Sequence, residues 1–157
     1  GRRHRGEEGR AGGELMMGQR APIFVDTSAF IAVVDRDQPR NPTASAFFRQ
    51  VTTVGDPALV TSSLVVVETT ALIQARFGMD LAIAFHDDLL PVIEVRGVDE
   101  SLLAEAVVAW RAARRRRLSL VDCVSFALMR RDGIRDAFAF DRDFEDEGFT
   151  LVPQTDE

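Results

Sequence analysis

The segment PIFVDTSAFIAVV, residues 22–34, decides the fold. It opens with Ile23–Val25, a short continuous apolar run that is typical of a strand buried on both faces. Asp26 follows this run directly, and Thr27 or Ser28 can cap the helix that comes next. In a parallel sheet, an acid at this position lies at the carboxyl edge, where such sheets bind their ligands.

The alternation of short apolar runs and helical patterns continues to the C-terminus. It predicts further strands at Leu59–Thr61, Pro91–Val95, Ala137–Phe140 and Phe149–Val152. It predicts further helices near residues 43–54, 63–76, 80–90, 99–114 and 120–131. Strands that alternate with helices favour an α/β fold, here a three-layer α/β/α sandwich with a short, mainly parallel central sheet.

The two ends of the chain differ in composition. Residues 1–20 are Gly-rich, charged and aperiodic, so we expect a disordered tail or an extension of the natural chain. Residues 21–157 contain no linker and no internal repeat, which predicts a single domain. The absence of an apolar run of ~18 residues, of a secretory signal and of any cysteine besides Cys123 predicts a cytoplasmic protein without a membrane span.

The composition excludes several classes of enzyme. All 19 residues counted as Lys or Arg are Arg, and the two histidines are His4 and His86. A chain without lysine is not a P-loop NTPase. With so little His and Cys, a zinc site or a Ser-His-Asp triad is disfavoured. Catalysis must therefore rest on carboxylates and hydroxyls, with a hard metal ion where one is needed.

Four acids stand out by position. Asp26 and Asp141 each follow a predicted strand, whereas Glu68 and Asp122 are each the sole acid in an apolar helical stretch. Each helical acid could simply favour the helix dipole, which is worth a few tenths of a kcal/mol. However, an unpaired buried charge costs several kcal/mol, and neither stretch offers a nearby Arg on the same face. An α/β fold would bring all four acids to one edge.

Clustered carboxylates need a counterion. Like charges raise one another's pKa values, and one or two divalent cations would relieve this. Carboxylates without thiolates favour Mg²⁺ or Mn²⁺, and such sites support phosphodiester hydrolysis. Residues 21–157 have 14 Arg against 22 acids, a net charge of −8. Either the protein does not bind nucleic acid, or the acids are concentrated where cations neutralise them, as a metal site would do.

Four segments carry these acids in order. They are IFVDTSAFIAVVDRDQP with Asp26, SSLVVVETTALI with Glu68, LSLVDCVSFALMRRDGI with Asp122 and FAFDRDFEDEGF with Asp141. In this order and spacing they resemble the motifs of the PIN-domain ribonucleases, and in particular those of the VapC toxins of bacterial toxin–antitoxin pairs. The resemblance extends from about Ile23 to Val152.

The resemblance implies a Mg²⁺-dependent endoribonuclease toxin that hydrolyses RNA such as tRNA or rRNA. It also implies a VapB-like antitoxin that inserts into the active-site groove, and a homodimer. Asp26 and Asp122 would bind the principal metal, and Asp141 and Glu68 would complete the site, with one of these two as general base. Ser28 would orient waters or acids.

Further residues are assigned less firmly by the motifs. Ser125 is an orienting hydroxyl or a helix back-bond, and the same alternative of a purely structural role applies to Ser28. Asp143 is an outer or alternative metal acid. The run of Arg114, Arg115, Arg116 and Arg117 binds RNA phosphates or merely complements a helix dipole.

Two departures from the family pattern keep alternatives open. Ala139 stands where many relatives have Thr, and there is no His near residues 41–43. The first alternative is a catalytically weak PIN-like module that binds RNA or protein without cutting. The second is a phosphatase-type enzyme with a nucleophilic Asp, which is disfavoured because the segment after Val25 lacks the second Asp of a D-x-D motif.

Overall fold

The structure is a computed structural model that describes residues 20–155. The predicted tail, apart from Arg20, lies outside the described residues. Among residues 20–155, no helix has the length and apolar character needed to cross a membrane.

Five parallel strands form one sheet in the order β3-β2-β1-β4-β5. They are β1 (Ile23–Val25), β2 (Leu59–Ser62), β3 (Glu94–Arg96), β4 (Asp136–Phe138) and β5 (Thr150–Val152). The central strand is β1, where Phe24 pairs with Val60 on one side and with Ala137 on the other. The predicted α/β class is confirmed, and every strand pair in the described chain is parallel.

Seven α-helices lie among residues 20–155. They are α1 (Thr27–Val34), α2 (Asn41–Val54), α3 (Ser63–Phe77), α4 (Met79–Ala84), α5 (Glu100–Ala113), α6 (Leu120–Arg131) and α7 (Asp143–Asp146). Right-handed connections between parallel strands place α1–α4 on one face of the sheet and α5 and α6 on the other. This arrangement produces the predicted three layers.

The region around Pro91 differs from the prediction. The helix expected over residues 80–90 ends at Ala84 and continues as a π-helical turn, Phe85–Leu89, and a 3₁₀ turn, Leu90–Val92. Proline has no backbone N–H to donate and restricts the residue before it. The third strand therefore begins only at Glu94, three residues later than predicted.

Burial decreases from the centre of the sheet to its edges. Every residue of β1 and β2 is buried, whereas Glu94 and Val95 of the edge strand β3 are exposed. Beneath the sheet's carboxyl edge the core is rich in phenylalanine, and the ring of Phe138 packs edge-on against Phe47 at 4.9 Å. The strand order reverses at β1, so the crevice between the ends of β1 and β4 is the expected ligand site.

Candidate metal centre

One cavity at the carboxyl edge contains all four acids that the sequence analysis singled out. It has a volume of about 390 Å³ and is lined by Asp26, Glu68, Asp122 and Asp141 among other residues. These four side chains come from the end of β1, from α3, from α6 and from the segment after β4. The fold thus brings together acids that are up to 115 residues apart (26 to 141) in the sequence.

Asp26 is the most deeply buried of these acids, with 4% of its surface exposed. Its backbone N–H donates to the Phe138 carbonyl at 3.0 Å, which joins the end of β1 to the end of β4. Burial raises the pKa of Asp26 to about 6, and the charges of Asp122 and Asp141 add to the rise, while hydrogen bonds from Ser28 oppose it. A nearby cation would favour the ionised form of Asp26 and lower this pKa.

Ser28 connects two parts of the site. Its hydroxyl donates to Asp26 Oδ2 at 2.7 Å and accepts from the Phe140 N–H at 3.0 Å. Its own N–H also donates to Asp26 Oδ2, at 3.1 Å, as the N-terminal cap of α1. The Asp26 carboxylate and the segment that leads to Asp141 are consequently held in register by a single side chain.

Ser125 is placed differently. It is fully buried in α6, and its hydroxyl donates to the Val121 carbonyl at 3.0 Å, one turn earlier in the same helix. It is not among the residues that line the cavity with the four acids. Its contacts are those of the back-bonding alternative.

Asp122 is held by the start of its own helix. Its N–H donates to Ser119 Oγ at 3.0 Å, and its carboxylate accepts from the Ser119 N–H at 3.0 Å, which together form a capping box. Burial raises the pKa of Asp122, the hydrogen bonds with Ser119 lower it, and the charges of Asp141 and Glu68 raise it further. The cap fixes the carboxylate at the cavity wall.

Asp141 and Asp143 complete a compact group with Asp122. One carboxylate oxygen from each of the three lies within 4.8 Å of the others. The Asp143 N–H also donates to Asp141 Oδ1 at 3.0 Å. The strand β4 ends at Phe138 rather than at Phe140, so Asp141 lies three residues beyond the strand instead of directly after it.

The predicted arginine run reaches this group through one residue. Arg115 Nη2 lies 2.8 Å from Asp143 Oδ1, and about half of the Arg115 side chain is exposed. The preceding residue, Arg114, ends α5 in the left-handed region at φ 49° and ψ 36°. The side chains of Arg114, Arg116 and Arg117 are exposed.

The sequence analysis missed two arginines at the cavity. Arg76 lines it together with Glu68 and Leu72, and spacings of four and eight residues put all three on one face of α3. The sequence analysis considered only nearby partners for Glu68, and the helical period could have indicated Arg76, two turns further along the same face. Arg40 also lines the cavity, and no local pattern links it to the acids.

The donor set fits a hard divalent cation. The cavity's potential ligands are carboxylate oxygens, and neither thiol nor imidazole is among its lining residues. Oxygens from Asp122, Asp141 and Asp143 are close enough to share one ion, and such oxygen ligands suit Mg²⁺ and Mn²⁺. The raised pKa values of Asp26 and Asp122 reflect negative charge that a cation would compensate.

Known proteins resemble this chain over most of its length. The profile of the PIN domain matches residues 23–149. Two curated relatives, both named 23S rRNA-specific endonuclease VapC20, come from the Mycobacterium tuberculosis strains CDC 1551 / Oshkosh and ATCC 25618 / H37Rv. Each is 36% identical over 131 residues, which are 83% of this chain and 97% of the relative.

Solved structures agree with these matches. The crystal structure of Mycobacterium tuberculosis VapC20, described as a Sarcin-Ricin loop cleaving toxin, has a TM-score of 0.71 at 36% identity and covers 82% of this chain and 96% of its own. FitAcB from Neisseria gonorrhoeae shares the fold, with a TM-score of 0.61 at 15% identity over 82% of this chain and 95% of its own. The chain therefore belongs to the PIN-domain family of nucleases, as a homologue of the VapC-type toxin endonucleases.

Proposed function

We propose that this protein is a Mg²⁺-dependent endoribonuclease that cleaves ribosomal RNA as the toxin of a toxin–antitoxin pair. The observation that carries the proposal is the convergence of Asp26, Glu68, Asp122 and Asp141 on one cavity. They converge in a chain that is 36% identical to a 23S rRNA-specific endonuclease. A cavity with four carboxylates and neither lysine nor histidine in its lining serves phosphodiester hydrolysis better than reactions that require a lysine or a histidine.

Five carboxylates are available to hold the cation. Asp122 and Asp141 belong to the compact oxygen group, and Asp143 joins them. Asp26, at the end of β1, and Glu68, in α3, line the same cavity as Asp122 and Asp141. When bound, Mg²⁺ supplies Lewis acidity toward phosphate oxygens and makes a water molecule more acidic at neutral pH.

The side chains divide the remaining work. Water attacks the phosphorus in line, the bond from phosphorus to the leaving ribose oxygen breaks, and the water loses a proton. Glu68 is the acid we assign to accept this proton, because it lines the cavity but lies outside the compact oxygen group. Asp26 and Ser28 keep the Asp141 segment in place through the Phe140 N–H.

The exposed arginines would bring the RNA to the site. Arg114, Arg116 and Arg117 are exposed and belong to the same run as Arg115, which contacts Asp143, so we assign them to contacts with backbone phosphates. Arg115 is paired with Asp143, so we assign it to the acid group instead. Basic side chains beside an acidic cavity would also offset the net negative charge of the chain.

The proposal includes the partners and the setting. A VapB-like antitoxin would block the cavity, and the protein would act in the cytoplasm. Residues 21–157 would form its single PIN-like domain. Exposed apolar side chains at Phe77, Met79 and Ile83, on neighbouring turns of α3 and α4, would serve a homodimer contact.

Cleavage of defined RNAs tests the proposal. The full chain would be incubated with 23S rRNA and with tRNA in Mg²⁺, in Mn²⁺ and in EDTA, alongside Glu68→Gln. We expect metal-dependent cleavage at discrete sites of 23S rRNA, and loss of that cleavage in EDTA and in the variant. RNA that is bound but stays intact under all conditions would favour the binding module.

The position of Ala139 bears on that alternative. Its departure from the family's Thr was the best support for a module without activity. Ala139 is buried and lines a neighbouring cavity instead of the one that holds the four acids. The acids that line the metal cavity are thus all present whatever residue stands at position 139, and we keep the active nuclease as the proposal.

A further inference from the structure

A second, larger cavity adjoins the acidic one. Its volume is about 890 Å³, and it lies against the segment after β4 and the C-terminal residues that follow β5. Arg40 and Phe140 line both cavities. These two side chains therefore form a wall that the two cavities share. A ligand in the second cavity would lie next to the cavity that contains the four acids.

Several contacts connect the residues of the shared wall. The Arg40 guanidinium lies 5.0 Å from the centre of the Phe140 ring, and its Nη1 donates to the Phe140 carbonyl at 3.4 Å. The Phe140 N–H is fixed by Ser28, and its ring packs against Phe138 at 6.2 Å. An arginine held in this way loses little further conformational freedom when it binds a ligand.

Arg40 also retains its charge for a ligand. Among residues 20–155, no carboxylate oxygen lies within 4.0 Å of its guanidinium. The guanidinium contacts the Phe140 carbonyl and the face of the Phe140 ring. Other guanidinium N–H groups can therefore donate hydrogen bonds to a phosphate.

The two cavities differ in charge. Among the described residues, the first cavity has four acids against two arginines, Arg40 and Arg76, whereas the second has two arginines, Arg40 and Arg142, against one acid, Glu145. The second also offers apolar surface from Leu151 and Pro153. Cationic groups beside apolar surface suit a nucleotide, whose phosphate binds the cations and whose base packs on apolar or aromatic groups. Its volume is within the range of roughly 300–1,000 Å³ that is usual for ligand sites.

We propose that the second cavity is a subsite for the RNA nucleotide that flanks the scissile phosphodiester, and that Arg40 holds the phosphate between that nucleotide and the metal cavity. The proposal rests on the proposed ribonuclease function and adds a place and a cation for the substrate strand. It predicts that the strand passes over the Arg40–Phe140 wall from one cavity into the other.

A substrate series tests the subsite. Single-stranded RNAs that extend by one to four nucleotides on either side of the scissile bond would be cleaved by the wild type, by Arg40→Ala and by Arg49→Ala. Arg49 is an exposed arginine of α2 that lines neither cavity. We expect extension on one side to lower KM for the wild type and Arg49→Ala, and Arg40→Ala to raise KM about tenfold with kcat little changed. Equal KM values for the two variants would overturn the proposal.

A binding measurement separates the subsite from catalysis. A 5′-phosphorylated RNA tetranucleotide of mixed sequence would be titrated into the metal-free, isotope-labelled full chain, with amide signals of Thr43, Ala139 and Thr155 as readouts. We expect these signals to shift in the wild type and in Arg49→Ala, and to stay in place in Arg40→Ala.

The outcomes of the two measurements are distinguishable. Shifts without cleavage of any RNA would refute the proposed function and, with it, the subsite as a place beside a scissile bond, and would leave the cavity as an RNA-binding site only. Cleavage without shifts, or shifts that survive Arg40→Ala in a protein with unchanged melting temperature, would refute the subsite. Signals that move with an antitoxin peptide but not with the tetranucleotide would assign the cavity to the protein partner and equally refute it.

Discussion

Asp26 and Asp122 line one cavity, and they are held there by different means. Asp26 is almost completely buried at the end of a central strand, and Ser28 connects it to the Asp141 segment. Asp122 is half-buried at the start of a helix and belongs to an open group with Asp141 and Asp143. Burial is the largest cause of the raised pKa in both.

The difference in burial suits Asp26 to a structural role in the site and Asp122 to cation binding. The Asp26 side is fixed by the packing of the sheet before any ion binds, at the cost of a buried carboxylate. The Asp122 side presents oxygens that are close together and accessible, as an incoming cation requires. We therefore expect substitutions on the Asp122 side to act mainly on metal binding, and those on the Asp26 side to act also on stability.

The largest effect should come from Asp122→Asn. It removes one charge from the compact oxygen group, so we expect cleavage of 23S rRNA to fall by more than about 100-fold and Mn²⁺ affinity to fall with it. Initial cleavage rates and Mn²⁺ titration calorimetry would measure the two losses. Asp136→Asn is the control, because Asp136 begins β4 at the opposite edge of the sheet. Comparable losses in both variants would contradict the assignment.

Asp26→Asn should stabilise the metal-free protein. The pKa of Asp26 is about 6 in the fold against a reference of 3.8, so the folded state binds the proton more tightly than the unfolded one. Stability is therefore lost as pH rises from about 4 to about 6, by as much as roughly 3 kcal/mol.

Urea denaturation in EDTA would show this effect. At pH 7.5 Asp26→Asn should unfold at higher urea than the wild type, and at pH 4 the difference should largely vanish. Mg²⁺ should reduce the difference at pH 7.5, because it stabilises the ionised Asp26. A wild type that is more stable than the variant in EDTA at pH 7.5 would contradict this account of Asp26.

Much of the site could be predicted from the sequence. Asp26, Glu68, Asp122 and Asp141 were recognisable because an isolated acid at the end of an apolar run, or inside one, has few structural explanations. The alternation of strands and helices was enough for the α/β class. These signals are local, and each lies within one element of the chain.

The remaining features depend on long-range contacts. Arg115 meets Asp143 across 28 residues, and Arg40 meets Phe140 across 100. The first contact also follows a left-handed Arg114, a conformation that nothing in an arginine-rich run predicts. The pairing of β1 with β4, which joins Asp26 to the Asp141 segment, is likewise a property of strand order, which the alternation alone leaves open.

Ser28→Ala should have a moderate effect, and Ser125→Ala a small one. Loss of the Ser28 hydroxyl removes its bonds to Asp26 and to the Phe140 N–H, which should cost about 1–3 kcal/mol. We expect cleavage to increase with pH as Asp26 becomes ionised. Because Ser28 lowers the pKa of Asp26, this increase should occur at higher pH in Ser28→Ala. Ser125→Ala removes a helix back-bond and should leave that profile unchanged. Identical pH profiles for both variants would remove Ser28 from the site.

Arg115→Ala should have the smallest effect. The Arg115–Asp143 pair is partly exposed, and such pairs are worth about 0.2–1 kcal/mol. Without this competing cation, Mn²⁺ should bind up to about fivefold more tightly. Calorimetry on Arg115→Ala and on Arg116→Ala, which alters an exposed neighbour, would measure the difference. Weaker binding in Arg115→Ala would mean that Arg115 orients Asp143 for the metal instead of competing with it.

The most direct test of the central claim is the position of a bound ion. Crystals of the full chain soaked in Mn²⁺ would be measured for anomalous scattering at the manganese edge. We predict a peak in the acidic cavity within about 2.0–2.3 Å of carboxylate oxygens from Asp122 and Asp141, and its absence from crystals of Asp122→Asn. A saturating soak that produced no peak there, or a peak held by other residues, would contradict the assignment of this cavity as the metal centre.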